Sequence, residues 1–185
     1  MRELKKEVRK LCRQWTKFAR KINKKISVNI ISGDWGAYRS LMLIDIPLAE
    51  PEQGKKAFEE TVKKELEKIG YSFIYNDFED YVWSFLHECG HLCKPKEYRD
   101  AVYRKIANIC GSLGMEKTAN KIYFNLKEEK TATAWACKFA VNNYEMLLAE
   151  QRKIFYTYQN FFEKCIDKIE HFFFSRKNSS HFATT

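Results

Sequence analysis

Between Met115 and Thr185 there is not one glycine or proline. This constrains the fold more than any other feature. Strand-rich sandwiches and barrels need turn residues every few positions, and this stretch supplies none. The whole chain has only 7 Gly and 3 Pro in 185 residues, so the strand-rich classes are excluded throughout. The spacing predicts helix over roughly 127–174, with a break at Asn142-Asn143. The residues beyond it, 175–185, read as a polar disordered tail.

Other segments fill in a mostly helical α+β chain. Residues 2–24 form one amphipathic pattern. Leu4, Val8, Leu11, Trp15, Phe18 and Ile22 recur at alternating four- and three-residue steps on one stripe. Segments 26–32 and 40–46 read as strands separated by the turn chemistry of Gly33-Asp34-Trp35-Gly36. They are expected to pair antiparallel as a short β-hairpin, the only sheet. Helices are predicted over 52–69, from Asp77 or Asp80 to about Lys94 before Pro95, and over 96–111 and 115–124. Residues 71–76 are ambiguous between strand and loop.

The expected layout is a basic helix (1–25), a central body (26–145) and an aromatic C-terminal helix (146–174). The hairpin packs on the helical bundle.

The charge is concentrated at one end. The chain carries +9 overall, and residues 1–25 hold 11 of its 33 Lys and Arg against Glu3 and Glu7 alone. The rest is balanced. Lys5, Arg9, Arg13 and Lys17 represent this basic face. Three readings stand: an ordinary solvated helix back, a contact to nucleic-acid phosphates, or a helix lying on an anionic membrane surface. The C-terminal helix carries Phe161-Phe162 and Phe172-Phe173-Phe174. It reads either as a core helix or as a homodimer or partner interface.

No apolar run approaches the ~20 residues needed to span a bilayer, and the first 25 residues contain no apolar leader. The six cysteines include no C-x-x-C pair. These features predict reduced thiols and a cytoplasmic protein.

Residues 87–91 spell His-Glu-Cys-Gly-His. Positions i and i+4 of a helix differ by ~40°, so His87 and His91 leave the same face and can share one Zn²⁺. Glu88 is displaced by ~100°, which suits a carboxylate acting on a metal-bound water rather than on the metal. Val82, Phe85, Cys89 and Cys93 fall on the opposite, core-facing side, so neither cysteine reaches that metal. The expected third ligand is Glu129, with Glu128 as the alternative. Glu129 begins an E-x-x-A-x-x-W-A-x-x-F pattern in which Ala132 and Ala136 form a small-residue stripe suited to close helix approach. His171 and His181 lie far along the chain.

This pair of motifs resembles the gluzincin metallopeptidases, and most of all the small ImmA/IrrE-type proteins of bacteria and mobile elements. The motifs cover two short stretches, and the layout is similar over roughly residues 26–145. The resemblance implies a zinc-dependent endopeptidase of narrow specificity acting on a peptide or protein. His87, His91 and Glu129 would hold Zn²⁺, with Glu88 as general base on a zinc-bound water. The strand 40–46 would be the edge on which substrate lies extended. Tyr98, Tyr103 and Tyr123 are the candidate oxyanion donors. The family often carries Asp or Asn where this chain has Thr133, which implies weaker support for the metal ligands. The alternative is a non-catalytic phage or mobile-element protein on the same scaffold. It would bind nucleic acid or a nucleoprotein through its basic arm, for example as an anti-CRISPR-like inhibitor of a host defence complex.

Overall fold

The computed structural model describes residues 2–48, 54–94 and 100–179, with side chains placed over 5–48, 54–94 and 100–163. The elements in chain order are α1 (Arg2–Ile22), β1 (Ser27–Ile31), β2 (Gly36–Tyr38), β3 (Leu43–Pro47), α2 (Lys55–Lys68), α3 (Asp80–Cys93), α4 (Asp100–Ser112), α5 (Glu116–Tyr123), α6 (Lys127–Asn142) and α7 (Tyr144–Ser179). The chain is mostly helical, with one small sheet packed against helices.

The C-terminal half follows from its composition. With no Gly or Pro to interrupt it, helix runs from Lys127 to Ser179, broken only at Asn143. There the backbone leaves helical geometry, at φ −129° and ψ 29°. The Phe139 carbonyl accepts twice there, from the Asn143 backbone N–H (3.0 Å) and from Asn143 Nδ2 (2.9 Å), which ties the break to the last turn of α6. The helix continues past Phe174, where the sequence placed its end. The expected tail from residue 180 on lies outside the described residues.

The sheet differs from the expected hairpin. β1 and β3 pair parallel, in register Val28↔Ile44 and Ile30↔Ile46. A third strand, β2, pairs antiparallel with β3, giving the order β1-β3-β2. The residues around Gly33–Gly36 therefore do not close a tight hairpin. They reverse the chain and carry it past the β3 position to the sheet edge, and a second reversal comes at Arg39–Met42. Met42 adopts the left-handed conformation there (φ 47°). Pairing β3 on both sides lets it run nearly buried throughout. β2 has only three residues, Gly-Ala-Tyr, and too short a pattern to read as a strand. Residues 71–76 fall in a 3-10 turn, Ser72–Asp77.

α1 is built into the core. Leu11, Trp15, Phe18 and Ala19 have no exposed surface and share one apolar cluster with β1, β3 and α3. The Trp15 ring packs against Phe85 (centroids 4.8 Å apart), Tyr81 (5.8 Å) and Trp35 (6.1 Å). A buried carboxylate ties α1 to α7: Glu150, 2 % exposed, accepts from the half-exposed Lys21 (2.6 Å) and Lys153 (2.8 Å).

Cys89 and Cys137 are buried and free, as expected of small apolar side chains, while Cys12, Cys93 and Cys110 are free and half-buried.

Candidate metal centre

α3 and α6 form the most intimate helix pair among the described residues. The reason is local. Gly90, inside the His-Glu-Cys-Gly-His segment, faces Ala132 on α6. A Cβ built on Gly90 would stand 2.6 Å from the Ala132 carbonyl oxygen and 2.8 Å from its Cα. Only glycine opposite alanine allows the two backbones this close. A glycine inside a helical pattern is itself a sign of close approach.

This contact brings the expected ligands together. His87 Nε2 lies 3.0 Å from Glu129 Oε2, His91 Nε2 lies 3.2 Å from the same oxygen, and the two Nε2 atoms are 3.0 Å apart. His87 and Glu129 are buried and His91 is 9 % exposed. Tetrahedral zinc with bonds near 2.0–2.1 Å sets its ligand atoms roughly 3.3 Å apart, so this triangle has the right size and donor chemistry for such an ion. Two imidazole Nε2 atoms and a carboxylate oxygen, buried within 3.0–3.2 Å of one another, form a set that a cation satisfies.

The orientation of His87 is fixed from behind. Its Nδ1 lies 3.1 Å from Thr133 Oγ1, and that hydroxyl donates to the Glu129 carbonyl at 3.0 Å. With its proton committed to the backbone, the hydroxyl accepts from His87 Nδ1–H. The Nε2 lone pair then points into the triangle. Thr133 thus gives His87 a hydrogen-bond partner at the position where the resemblance leads one to expect Asp or Asn. Phe58 closes the other side, its ring edge-on to His87 at 5.2 Å between centroids.

Arg104 of α4 was not picked out in the sequence. It donates to Glu129 Oε1 at 2.8 Å and approaches Glu128 Oε2 and the Tyr123 hydroxyl at 3.4 Å each. It occupies the carboxylate oxygen that does not face the histidines. No local pattern marks it, since it arrives from a separate helix. Glu128 is not part of the triangle. It lies 3.7 Å from His91 Nδ1 and 3.7 Å from Arg39, and its backbone N–H is held by Asp100 (2.8 Å).

Charges at the site follow burial and pairing. Burial would raise the Glu129 carboxyl, but hydrogen bonds and charge from His87 and His91 hold it well below the usual carboxylate range. For His91, burial works against protonation, yet the hydrogen bond and charge of Glu129 raise its pKa above the ordinary value. Burial pushes the Glu88 carboxyl up, against the pull of the two histidines.

Glu88 opens onto two cavities. One, of about 180 Å³, is aromatic and lined by Trp35, Phe58, Tyr75 and Phe124, with Glu88 and His87 at its end. The other, of about 770 Å³, runs beside β2 and includes Glu88, His91, Arg104, Tyr123 and the residues 35–40. The strand beside the site is therefore β2. β3, expected to offer the open edge, is paired on both sides and cannot do so.

Of the three candidate tyrosines, Tyr123 lines both cavities. Tyr103 is exposed, and Tyr98 lies outside the described residues, as does His181. The side chain of His171 is likewise not described. Lys5, Arg9, Arg13 and Lys17 are exposed on α1, apart from this site. Among the described residues, no helix is long and apolar enough to cross a membrane.

No family model matches the chain, and no curated protein or solved structure shows a significant similarity to it.

Proposed function

We propose that the chain is a zinc-dependent endopeptidase of the gluzincin type, similar to the small ImmA/IrrE-type enzymes. The observation that carries the reading is the His87–His91–Glu129 triangle, with Glu88 opening on the same cavity as the edge strand β2. His87, His91 and Glu129 would hold the ion. A zinc ion there supplies Lewis acidity toward a water and toward the carbonyl under attack.

The chain's own groups do the rest. β2 presents a strand edge on which an extended peptide aligns by main-chain hydrogen bonds. The aromatic cavity beside Glu88 takes a substrate side chain. Glu88 accepts a proton at its carboxylate and returns it to the leaving amine nitrogen. Its raised pKa brings it closer to the proton affinity such a shuttle needs. Tyr123 is held protonated by burial and by the nearby carboxylates of Glu129 and Glu88, so it remains a donor to the developing oxyanion. Arg104 pins Glu129 so that Oε2 stays with the histidines.

Glu88→Gln tests the reading. The variant should keep the fold and bind zinc as wild type does, while hydrolysis of a peptide library falls by ~10²-fold or more. If wild type loaded with zinc cleaves nothing in a broad library, the enzyme reading is lost.

A further inference from the structure

From residue 5 to residue 25, every exposed side chain is a lysine or an arginine: Lys5, Lys6, Arg9, Lys10, Arg13, Lys17, Arg20, Lys21, Lys24 and Lys25. Their apolar counterparts on α1 are consumed by the core, since Leu11, Trp15 and Phe18 have no exposed surface. That argues against one of the readings of this helix, insertion into a membrane surface. A helix that lies on a membrane needs a free apolar face to insert, and α1 has already buried its own. What it presents to solvent is charge alone, on a rigid element. Lys5, Arg9, Arg13 and Lys17 step along one face at intervals of about 6 Å, four residues of helical rise each.

The neighbouring helix adds the second component. α1 and α7 enclose a groove of about 390 Å³, lined by Lys10, Arg13, Gln14 and Lys17 from one side and by Tyr156 and Asn160 from the other. Tyr156 is 68 % exposed. The acidic residue in the groove, Glu7, is buried and bridged by Lys10 at 3.0 Å, so it does not cancel the field of the row. A cationic track bordered by an exposed aromatic ring is the arrangement that binds single-stranded nucleic acid. The cations follow the phosphates and the ring stacks on a base.

We propose that the α1–α7 face is a binding site for single-stranded nucleic acid, separate from the metal centre. Phosphates run along Arg9, Arg13 and Lys17, and one base stacks on Tyr156. The site does not depend on the peptidase reading, because none of its residues touches the triangle.

The test is fluorescence anisotropy of a labelled oligothymidylate with the full chain, at roughly 50 and 200 mM salt. Wild type should bind, more weakly at the higher salt. Arg13→Glu with Lys17→Glu should weaken binding by ~10-fold or more and flatten the salt slope by roughly 1.4, about 0.7 per lost phosphate contact. Arg13→Gln with Lys17→Gln should act in the same direction by a smaller factor. Tyr156→Ala should weaken binding ~5-fold or more at fixed salt and leave the slope unchanged. Lys56→Glu with Lys121→Glu, in the lysine-rich groove between α2 and α5, should leave affinity unchanged. Zinc content and circular dichroism should match wild type in every variant.

The proposal is overturned by no binding at low salt, or by unchanged affinity in the α1 variants. It is also overturned by loss confined to the Lys56/Lys121 variant, or by indifference to Tyr156→Ala. Phosphatidylserine vesicles bound more tightly than the oligonucleotide would overturn it as well.

Discussion

A Cβ on Gly90 would sit 2.6 Å from the carbonyl oxygen of Ala132, closer than side-chain carbons come to any backbone oxygen. The metal triangle depends on this one contact between α3 and α6, because His87 and His91 stand on one helix and Glu129 on the other. Gly90→Ala should therefore destabilise the fold even though alanine favours a helix by about 1 kcal/mol over glycine. The neighbour is backbone and cannot swing aside, so α6 must shift, at a net cost of about 1–3 kcal/mol. Zinc affinity should drop with it. A lower thermal midpoint together with weaker zinc binding checks the prediction; an unchanged midpoint would mean that the helices are not in this contact.

Thr133 offers a second test, one that separates the hydroxyl from the volume it fills. Thr133→Val keeps the shape and removes the partner of His87 Nδ1. The histidine is then free to adopt either tautomer, and zinc affinity should fall by roughly 10- to 100-fold. Thr133→Ser should restore most of it. Competition with a chromogenic chelator measures both. Equal affinity in Thr133→Val and wild type would show that something else orients His87.

The sequence made some of this geometry readable and hid the rest. The two histidines were legible because four-residue spacing on a helix is a local rule. Glu129 was legible because Ala132 and Ala136 announce close packing one and two turns on. Arg104 and Tyr123 reach the site from α4 and α5, and nothing local sets that distance. Tyr123 could not be told from Tyr98 or Tyr103 for the same reason. The parallel β1–β3 pairing was missed because two apolar strands joined by Gly and Asp look alike whether the chain turns back at once or detours through a three-residue strand. The field of α1 was visible as a count of charges. Its confinement to a groove beside Tyr156 needed the packing of α1 on α7.

That packing has its own signature in pH. Glu150 is buried, which alone would raise its carboxyl, but Lys153 and Lys21 outweigh this and hold its pKa below the ordinary value near 4.5. A lowered folded-state pKa means stability that is present above about pH 4.5 and is lost as pH falls through the folded value. Glu150→Gln should thus cost about 1–2 kcal/mol at neutral pH, the low end for hydrogen bonds to charged groups because both lysines are half exposed. The gap between variant and wild type should narrow as pH falls below 4.5 and close once pH is below the folded-state value. Urea unfolding across pH measures it, and a gap that stays constant with pH would assign the loss to packing rather than charge.

The last prediction separates donor from scaffold at the reaction centre. Tyr123 borders both cavities that meet at Glu88, and its hydroxyl lies 3.4 Å from Arg104. Burial first, then the carboxylates of Glu129 and Glu88, raise its pKa, so the phenol keeps its proton throughout the neutral range. A phenol that cannot ionise is suited to donate to a developing oxyanion and poorly suited to act as a base. Tyr123→Phe removes the donor and leaves the ring beside Phe124. On the peptidase reading, kcat should fall by ~10²- to 10³-fold with KM little changed. Zinc occupancy should hold, since Tyr123 is outside the ligand triangle. The pH profile should keep its acid limb, because Glu88 remains. Were kcat unchanged while KM rose, Tyr123 would be a wall of the substrate cavity, and the oxyanion donor would have to come from another residue.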